Sequence, residues 1–327
     1  MNKITVIGAG NVGATCANVI ANKNLAKEVV LVDVQEGLAE GKCLDILQTG
    51  SINNYNTKII GSTYDYFKTA GSGIVVITSG IPRKPGMSRD DLIKTNAVIV
   101  KEVTEKVMVY SPDAVIIVVS NPLDVMTYAS YRAARTAANK VIGMAGILDA
   151  ARFKTFVAEA LNVSALDVTT MILGGHGDTM VPLPRFSSVS GIPITDLLSH
   201  DTIAKIVNRT RNGGGEIVNL MGTSAWYAPG AAAAQMVEAI VNDQKRVFPV
   251  CALCNGEYGL NDVFVGVPVK LGKNGIEQIM ELKLNNEEIK MLHNSAQAVK
   301  DQMDELDRMN LFQPIYSFSN VSSIILG

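Results

Sequence analysis

Ile4-Thr5-Val6-Ile7-Gly8-Ala9-Gly10-Asn11-Val12-Gly13 decides the fold: an apolar run enters a glycine pattern, which opens onto Ala14-Thr15-Cys16-Ala17. The run predicts a strand. The spacing of Val12, Cys16, Val19 and Ile20 predicts a helix over 11–21. G-x-G-x-x-G alone is a weak pattern. Here it stands between a strand and a helix, and Asp33 ends the next apolar run, Val29-Val30-Leu31-Val32, about 20 residues on, as a dinucleotide fingerprint requires. Gly8 suits the tight turn, Gly10 lets backbone approach a pyrophosphate, and Gly13 lets the helix pack close to the sheet. Ala9, Asn11 and Val12 complete the loop, where a helix N-terminus favours anions. Asp33 would accept from ribose hydroxyls and repel a 2′-phosphate, so NAD is expected rather than NADP. The rival reading is a glycine-rich turn without a ligand; strand, helix and acid together count against it.

Working outward, further apolar runs at 58–60, 74–77 and 115–119 alternate with helical segments. One long helix is expected over 90–110, with Leu92, Val98 and Val103 among its apolar positions. Short continuous Val/Ile runs separated by helices predict an α/β fold with a Rossmann-type, doubly wound parallel sheet. After about residue 142 the texture changes. Helices are expected at 148–161, 201–220, 229–242 and 286–306, and strands at 167–173, 185–189, 246–253 and 263–271. This mixture predicts an α+β substrate/catalytic domain packed on the first. The chain of 327 residues is long for one domain. The expected division is 1–143, 144–308 and an apolar C-terminal extension, 309–327.

Composition excludes several classes. An apolar share of 47% against 18% charged is too hydrophobic for a disordered chain. A net charge of −2 gives no basic field for nucleic acid or an anionic membrane. No apolar run approaches the roughly 20 residues of a membrane helix. Met1-Asn2-Lys3 leads straight into the first strand, so no signal peptide is read and a cytoplasmic protein is expected. Cys16, Cys43, Cys251 and Cys254 are too few for a disulfide framework at this length. Cys251-Ala252-Leu253-Cys254 has C-x-x-C spacing, but on a strand these positions point to opposite faces. A structural pair is preferred to a redox or zinc site, and no metal is expected.

Histidine is scarce: His176, His200 and His293. His176 lies in Gly174-Gly175-His176-Gly177-Asp178, where the glycines let a ligand reach the ring. His200 reads as a residue at a helix start and His293 as exposed. A lone histidine is more often structural, but the glycine setting and a nearby dinucleotide site favour a chemical role for His176. Ile81-Pro82-Arg83-Lys84-Pro85-Gly86-Met87-Ser88-Arg89-Asp90 follows a strand end, where doubly wound sheets bind ligands. Its prolines and glycine predict a defined but movable loop; a solvated cationic loop is the plainer reading. Asp149 and Arg152, three apart on a helix, share one face.

Together with Ser120-Asn121-Pro122-Leu123-Asp124 and Leu148-Asp149-Ala150-Ala151-Arg152-Phe153, these motifs resemble the lactate/malate dehydrogenase family. The likeness is greatest to the malate-type members of its lactate-dehydrogenase-like branch. It runs from residue 1 to about 308, through five motifs in the family order. The resemblance implies reversible hydride transfer between (S)-malate and NAD, giving oxaloacetate and NADH. His176 would carry the proton and Asp149 would fix its tautomer. Arg152 would clamp the C1 carboxylate, Arg89 would polarise the C2 carbonyl, and Asn121 would hydrogen-bond the substrate. Asn96 and Val119-Ser120-Asn121 would lie along the NAD. Arg83 would face the second carboxylate; within the family, arginine there goes with malate and glutamine with lactate. A homo-oligomer, dimer or tetramer, is implied. The sequence leaves Asn121-Pro122 open between cis and trans.

The stretch 309–327 departs from the family, whose members usually stop near the preceding helix. It has no charged side chain; a loose extension is the plainer reading, but Phe312, Ile315, Tyr316 and Phe318 favour docking on the body or on a neighbouring subunit. Rival readings are a lactate dehydrogenase, an NAD-dependent glycosidase and a non-catalytic NAD-binding redox sensor. Arg83 argues against the first. The second wants a metal held by Cys and His near the crevice. The third leaves Arg83, Arg89, Asn121, Arg152, Asp149 and His176 without purpose.

Overall fold

The computed structural model describes residues 1–82 and 88–312. The first half runs β1 (Lys3–Ile7), α1 (Asn11–Asn22), β2 (Glu28–Asp33), α2 (Leu38–Asn53), β3 (Lys58–Thr63), β4 (Ile74–Ile77), α3 (Arg89–Tyr110), β5 (Val115–Val118), α4 (Leu123–Ala134) and β6 (Val141–Gly143). These strands are parallel, in the order β3-β2-β1-β4-β5-β6. Every residue of β4 and β5 is buried, because helices cover both faces. That is why both runs are continuously apolar rather than alternating. The strand order reverses between β1 and β4, and a ligand crevice opens beyond the carboxyl ends at that point.

The second half runs α5 (Gly146–Leu161), β7 (Val168–Thr169), β8 (Ile172–Leu173), β9 (Val181–Pro182), β10 (Ser188–Val189), β11 (Ile192–Pro193), α6 (Ile194–Leu197), α7 (His200–Met221), α8 (Tyr227–Val241), β12 (Arg246–Asn255), β13 (Asn261–Gly272), β14 (Gly275–Ile279) and α9 (Asn286–Arg308). β12, β13 and β14 pair antiparallel, and β12 joins β6 through Cys251 and Gly143. Among the described residues the result is one nine-stranded sheet. The long hairpin of the second half therefore extends the parallel sheet instead of forming a sheet apart.

Three expectations need correction, and one helix was not expected. The strand expected over 167–173 is two short strands, β7 and β8, in different sheets. The strand expected over 185–189 begins as a 3-10 turn at Pro184–Phe186, which turns Arg185 towards Glu288; only Ser188–Val189 pairs. Val98 faces solvent, and α3 buries Ile93, Ala97, Val100, Val103 and Val107 instead. α4 was not anticipated as a helix.

Cys251 and Cys254 are buried free thiols. Burial pushes both up, Cys254 to about 12, which keeps them protonated and unreactive. Phe312, at the start of the extension, packs on the α3–α4 core with the Arg132 guanidinium 5.4 Å from its ring centre. Ile315, Tyr316 and Phe318 lie outside the described residues. Among those described, no helix is long and apolar enough to cross a membrane.

Candidate active site

The glycine loop folds as its sequence demands. A Cβ on Gly13 would stand 1.9 Å from the Gly8 carbonyl oxygen, so only glycine lets α1 sit this close to β1. A Cβ on Gly10, in contrast, would meet nothing within 4 Å. The N-terminus of α1 has no side-chain cap, and its first N–H groups stay available to an anion. Ala9 is buried and donates its N–H to Asp33 Oδ2 at 2.5 Å; Gln35 N–H reaches Asp33 Oδ1 at 2.9 Å. Asp33 is thus aimed along the rim of a cavity of about 360 Å³ lined also by Gly8, Gly10, Tyr66, Ser79 and Glu102. Open space at Gly10, uncapped N–H groups and an oriented carboxylate are what a dinucleotide requires.

A second cavity, also about 360 Å³, meets the same loop at Val12. Val119, Asn121, Arg152, His176 and Arg211 line it. Its chemistry converges on Asp149, in the first turn of α5 and 1% exposed. Asp149 Oδ2 lies 2.8 Å from His176 Nδ1, and Asp149 Oδ1 accepts from Arg152 Nη1 at 3.0 Å. A carboxylate buried this deeply must be paired, and here it is paired twice. The contact places the imidazole hydrogen on Nδ1 and leaves Nε2 for the cavity. Burial works against the imidazolium, but the Asp149 charge, helped by Asp124, outweighs it and holds the His176 pKa above its ordinary value of 6.5. Arg152 Nε is buried and has no hydrogen-bond partner among the described residues. A buried, unpaired guanidinium nitrogen on a cavity wall awaits an anionic ligand.

Other expected site residues fall differently. Asn96 is 1% exposed and does not face either cavity. Its amide donates to the carbonyls of Ile81 and Asn121 and accepts from Ile81 N–H at 2.8 Å, so it ties the β4 and β5 loops together. The Ser120 hydroxyl is engaged with the Ser79 carbonyl at 2.5 Å. Asn11 is exposed at the start of α1. Arg89 is the exposed first residue of α3, after the Ser88 N-cap, rather than a loop residue, and lines neither cavity. Arg83 lies outside the described residues. The Asn121-Pro122 bond is cis.

Residues 2–143 match the lactate/malate dehydrogenase NAD binding domain, and residues 147–309 match the lactate/malate dehydrogenase alpha/beta C-terminal domain. The chain belongs to the lactate/malate dehydrogenase family. A malate dehydrogenase of Cytophaga hutchinsonii is 60% identical over 305 residues, which span 93% of this chain and 98% of that protein. The structure of malate dehydrogenase from Salinibacter ruber superposes with a TM-score of 0.91 at 52% identity, covering 94% of this chain and 98% of that one. A lactate dehydrogenase from Cryptosporidium parvum, in complex with lactic acid and nicotinamide adenine dinucleotide, superposes with a TM-score of 0.90 at 41% identity, over 94% and 98% of the two chains. Malate- and lactate-type members thus share this fold, and the choice between them rests on side chains.

Two features of this family member were missed in the sequence. Arg211 of α7 lines the second cavity, with Nε bonded to the Met180 carbonyl at 3.3 Å. Three consecutive glycines, Gly213, Gly214 and Gly215, stand inside the same unbroken helix. The signal was available, since each interior glycine destabilises a helix by about 1 kcal/mol relative to alanine. Their packing supplies the reason: a Cβ on Gly213 would press on Arg152 Cδ at 3.2 Å, and one on Gly214 would touch the guanidinium at 3.7 Å. Gly213→Ala should therefore raise KM for the substrate roughly threefold to tenfold by displacing Arg152, despite the helix's gain in propensity. An unchanged KM would mean that α7 does not set the arginine's position.

Proposed function

We propose that this protein is an NAD-dependent malate dehydrogenase, interconverting (S)-malate and oxaloacetate. One observation carries the reading: the buried Asp149 holds His176 and Arg152 at once, so a proton carrier and a carboxylate clamp face one cavity beside the glycine loop. Arg152, through its unpaired Nε, takes the C1 carboxylate. His176 Nε2 accepts the C2 hydroxyl proton during oxidation and returns it during reduction, and Asp149 steadies the imidazolium. Asn121 hydrogen-bonds the substrate and Arg83 pairs with the second carboxylate; Arg89, outside both cavities here, reaches the C2 carbonyl only by moving over the bound substrate. Gly8, Ala9, Gly10, Asn11, Val12, Gly13 and Asp33 hold the dinucleotide; Val119, Ser120 and Asn121 shape its far end, with Asn96 fixing that loop from behind. When bound, the nicotinamide supplies the hydride acceptor or donor.

Residues 1–143 then form the cofactor half and residues 144–308 the catalytic half. A homo-oligomer, dimer or tetramer, belongs to the same reading and is supported by the exposed Leu44, Leu47 and Ile52 on α2. So do a cytoplasmic setting and the malate step of the tricarboxylic acid cycle.

The test is NADH oxidation with oxaloacetate and pyruvate side by side. Preference for oxaloacetate is expected, and equal or greater use of pyruvate would replace the malate assignment with a lactate one. Cofactor choice is a second test. NADH should be strongly preferred to NADPH, and Asp33→Ser should narrow the gap. Equal use of both by the unmodified protein would remove Asp33 from the reading.

A further inference from the structure

A second carboxylate stands behind His176, and the proton-transfer scheme above leaves it unused. Asp124 is in the first turn of α4, 6% exposed. Its Oδ2 accepts the backbone N–H of His176 at 2.8 Å, while Oδ1 is buried with no hydrogen-bond partner among the described residues. The cis Asn121-Pro122 turn leads directly into this helix, so Asp124 is three residues from Asn121. The loop it grips is held from the other side too: Gly175 N–H donates to Ser295 Oγ of α9 at 2.8 Å. A Cβ on Gly175 would stand 2.8 Å from Val299 and 3.3 Å from Asp124 Oδ2, so the segment is wedged between α9 and α4.

We infer that Asp124 is a positioning residue for the reaction: its carboxylate locks the His176 backbone to the Asn121 turn and sets a second negative charge behind the imidazole. The inference rests on His176 being the proton carrier. Two groups that must meet one carbonyl come from opposite halves of the chain, and Asp124 is a direct link between their backbones. Burial pushes the Asp124 pKa above its ordinary value, while the His176 N–H that it accepts and the α4 N-terminus favour its anion. The other charged and titratable groups around the ring are Asp149 and Arg152 from α5, with Asp178 and Arg211 on the cavity wall. Behind Asp124 stands Cys251 of β12, whose thiol burial pushes well up, so it brings no competing charge.

The test compares Asp124→Asn, Asp124→Glu and His176→Asn with the unmodified enzyme, as pH profiles of kcat/KM for oxaloacetate reduction and as NADH affinity. Asp124→Asn keeps an acceptor for the His176 N–H but removes the charge. Its alkaline limb should move to lower pH, with NADH affinity unchanged. Asp124→Glu keeps the charge but misplaces it; its limb should stay where it is while kcat falls about tenfold or more. An Asp124→Asn profile that superimposes on the unmodified one would overturn the inference. If that variant did not fold, normal kcat in Asp124→Glu would overturn it equally. An inactive His176→Asn beside an unaltered Asp124→Asn would sink this inference alone. An active His176→Asn would sink the proton-carrier reading itself.

Discussion

Replacing His176 by asparagine is expected to lower kcat by ~10²–10⁴, the usual worth of general acid–base catalysis. NADH affinity should be nearly unchanged, because Gly8, Gly10 and Asp33 line a cavity that the imidazole does not. The pH dependence gives the expectation a sign. Burial disfavours the imidazolium, but the Asp149 carboxylate at 2.8 Å outweighs it, and the His176 pKa stands above 6.5. Reduction of oxaloacetate needs the protonated ring, so its rate should hold through pH 6.5 and fall only as pH rises through the raised value. Malate oxidation needs the neutral ring and should rise over that same interval. Asparagine has no titrating group, so both limbs should vanish with the rate. Near-normal turnover by His176→Asn, measured by NADH absorbance in both directions, would take the histidine out of the mechanism.

How much of this was legible beforehand follows from how local each signal is. The parallel half was readable because its evidence is short-range: a continuously buried strand such as Ile74–Ile77 announces itself within four residues. The glycine pattern needed only its flanking strand and helix. The second half was harder. β7, β8, β9, β10 and β11 have two residues each, too short for any periodicity to register. Residues 185–189 read as a strand, but Pro184 opens a 3-10 turn there, and Arg185 pairs with the distant Glu288. The annexation of β12 by β6 rests on one pairing between residues far apart in sequence, Gly143 and Cys251, which no local pattern encodes. In the site, Asp149 and Arg152 were visible as a helical pair. Their meeting with His176 came from family likeness, since nothing local joins positions 149 and 176. Asn96 shows the converse: family likeness implied a place along the NAD, whereas its buried amide binds two loops together.

Arg83→Gln should have the largest effect on substrate choice, removing most of the preference for oxaloacetate over pyruvate. In sequence, Arg83 falls between β4 and α3. In the proposed reaction its guanidinium pairs with the distal carboxylate of oxaloacetate in a water-poor site. Pyruvate carries a methyl group there, and the same arrangement would bury an unpaired charge. A charge-assisted hydrogen bond is worth ~1.5–3 kcal/mol, and breaking a buried ion pair costs ~3–5 kcal/mol. Since each ~1.4 kcal/mol is tenfold, a preference of several orders of magnitude in kcat/KM is within reach of this one residue. Glutamine should lose it chiefly through lower oxaloacetate activity. The gain with pyruvate should be partial, because Lys84 still suits a charged substrate and Arg211 remains on the cavity wall. The measurement is the ratio of kcat/KM for the two keto acids in both proteins. An unchanged ratio would remove Arg83 from the recognition of the second carboxylate. It would also make Arg211, which lines the cavity and is anchored through Nε to the Met180 carbonyl, the next cation to replace.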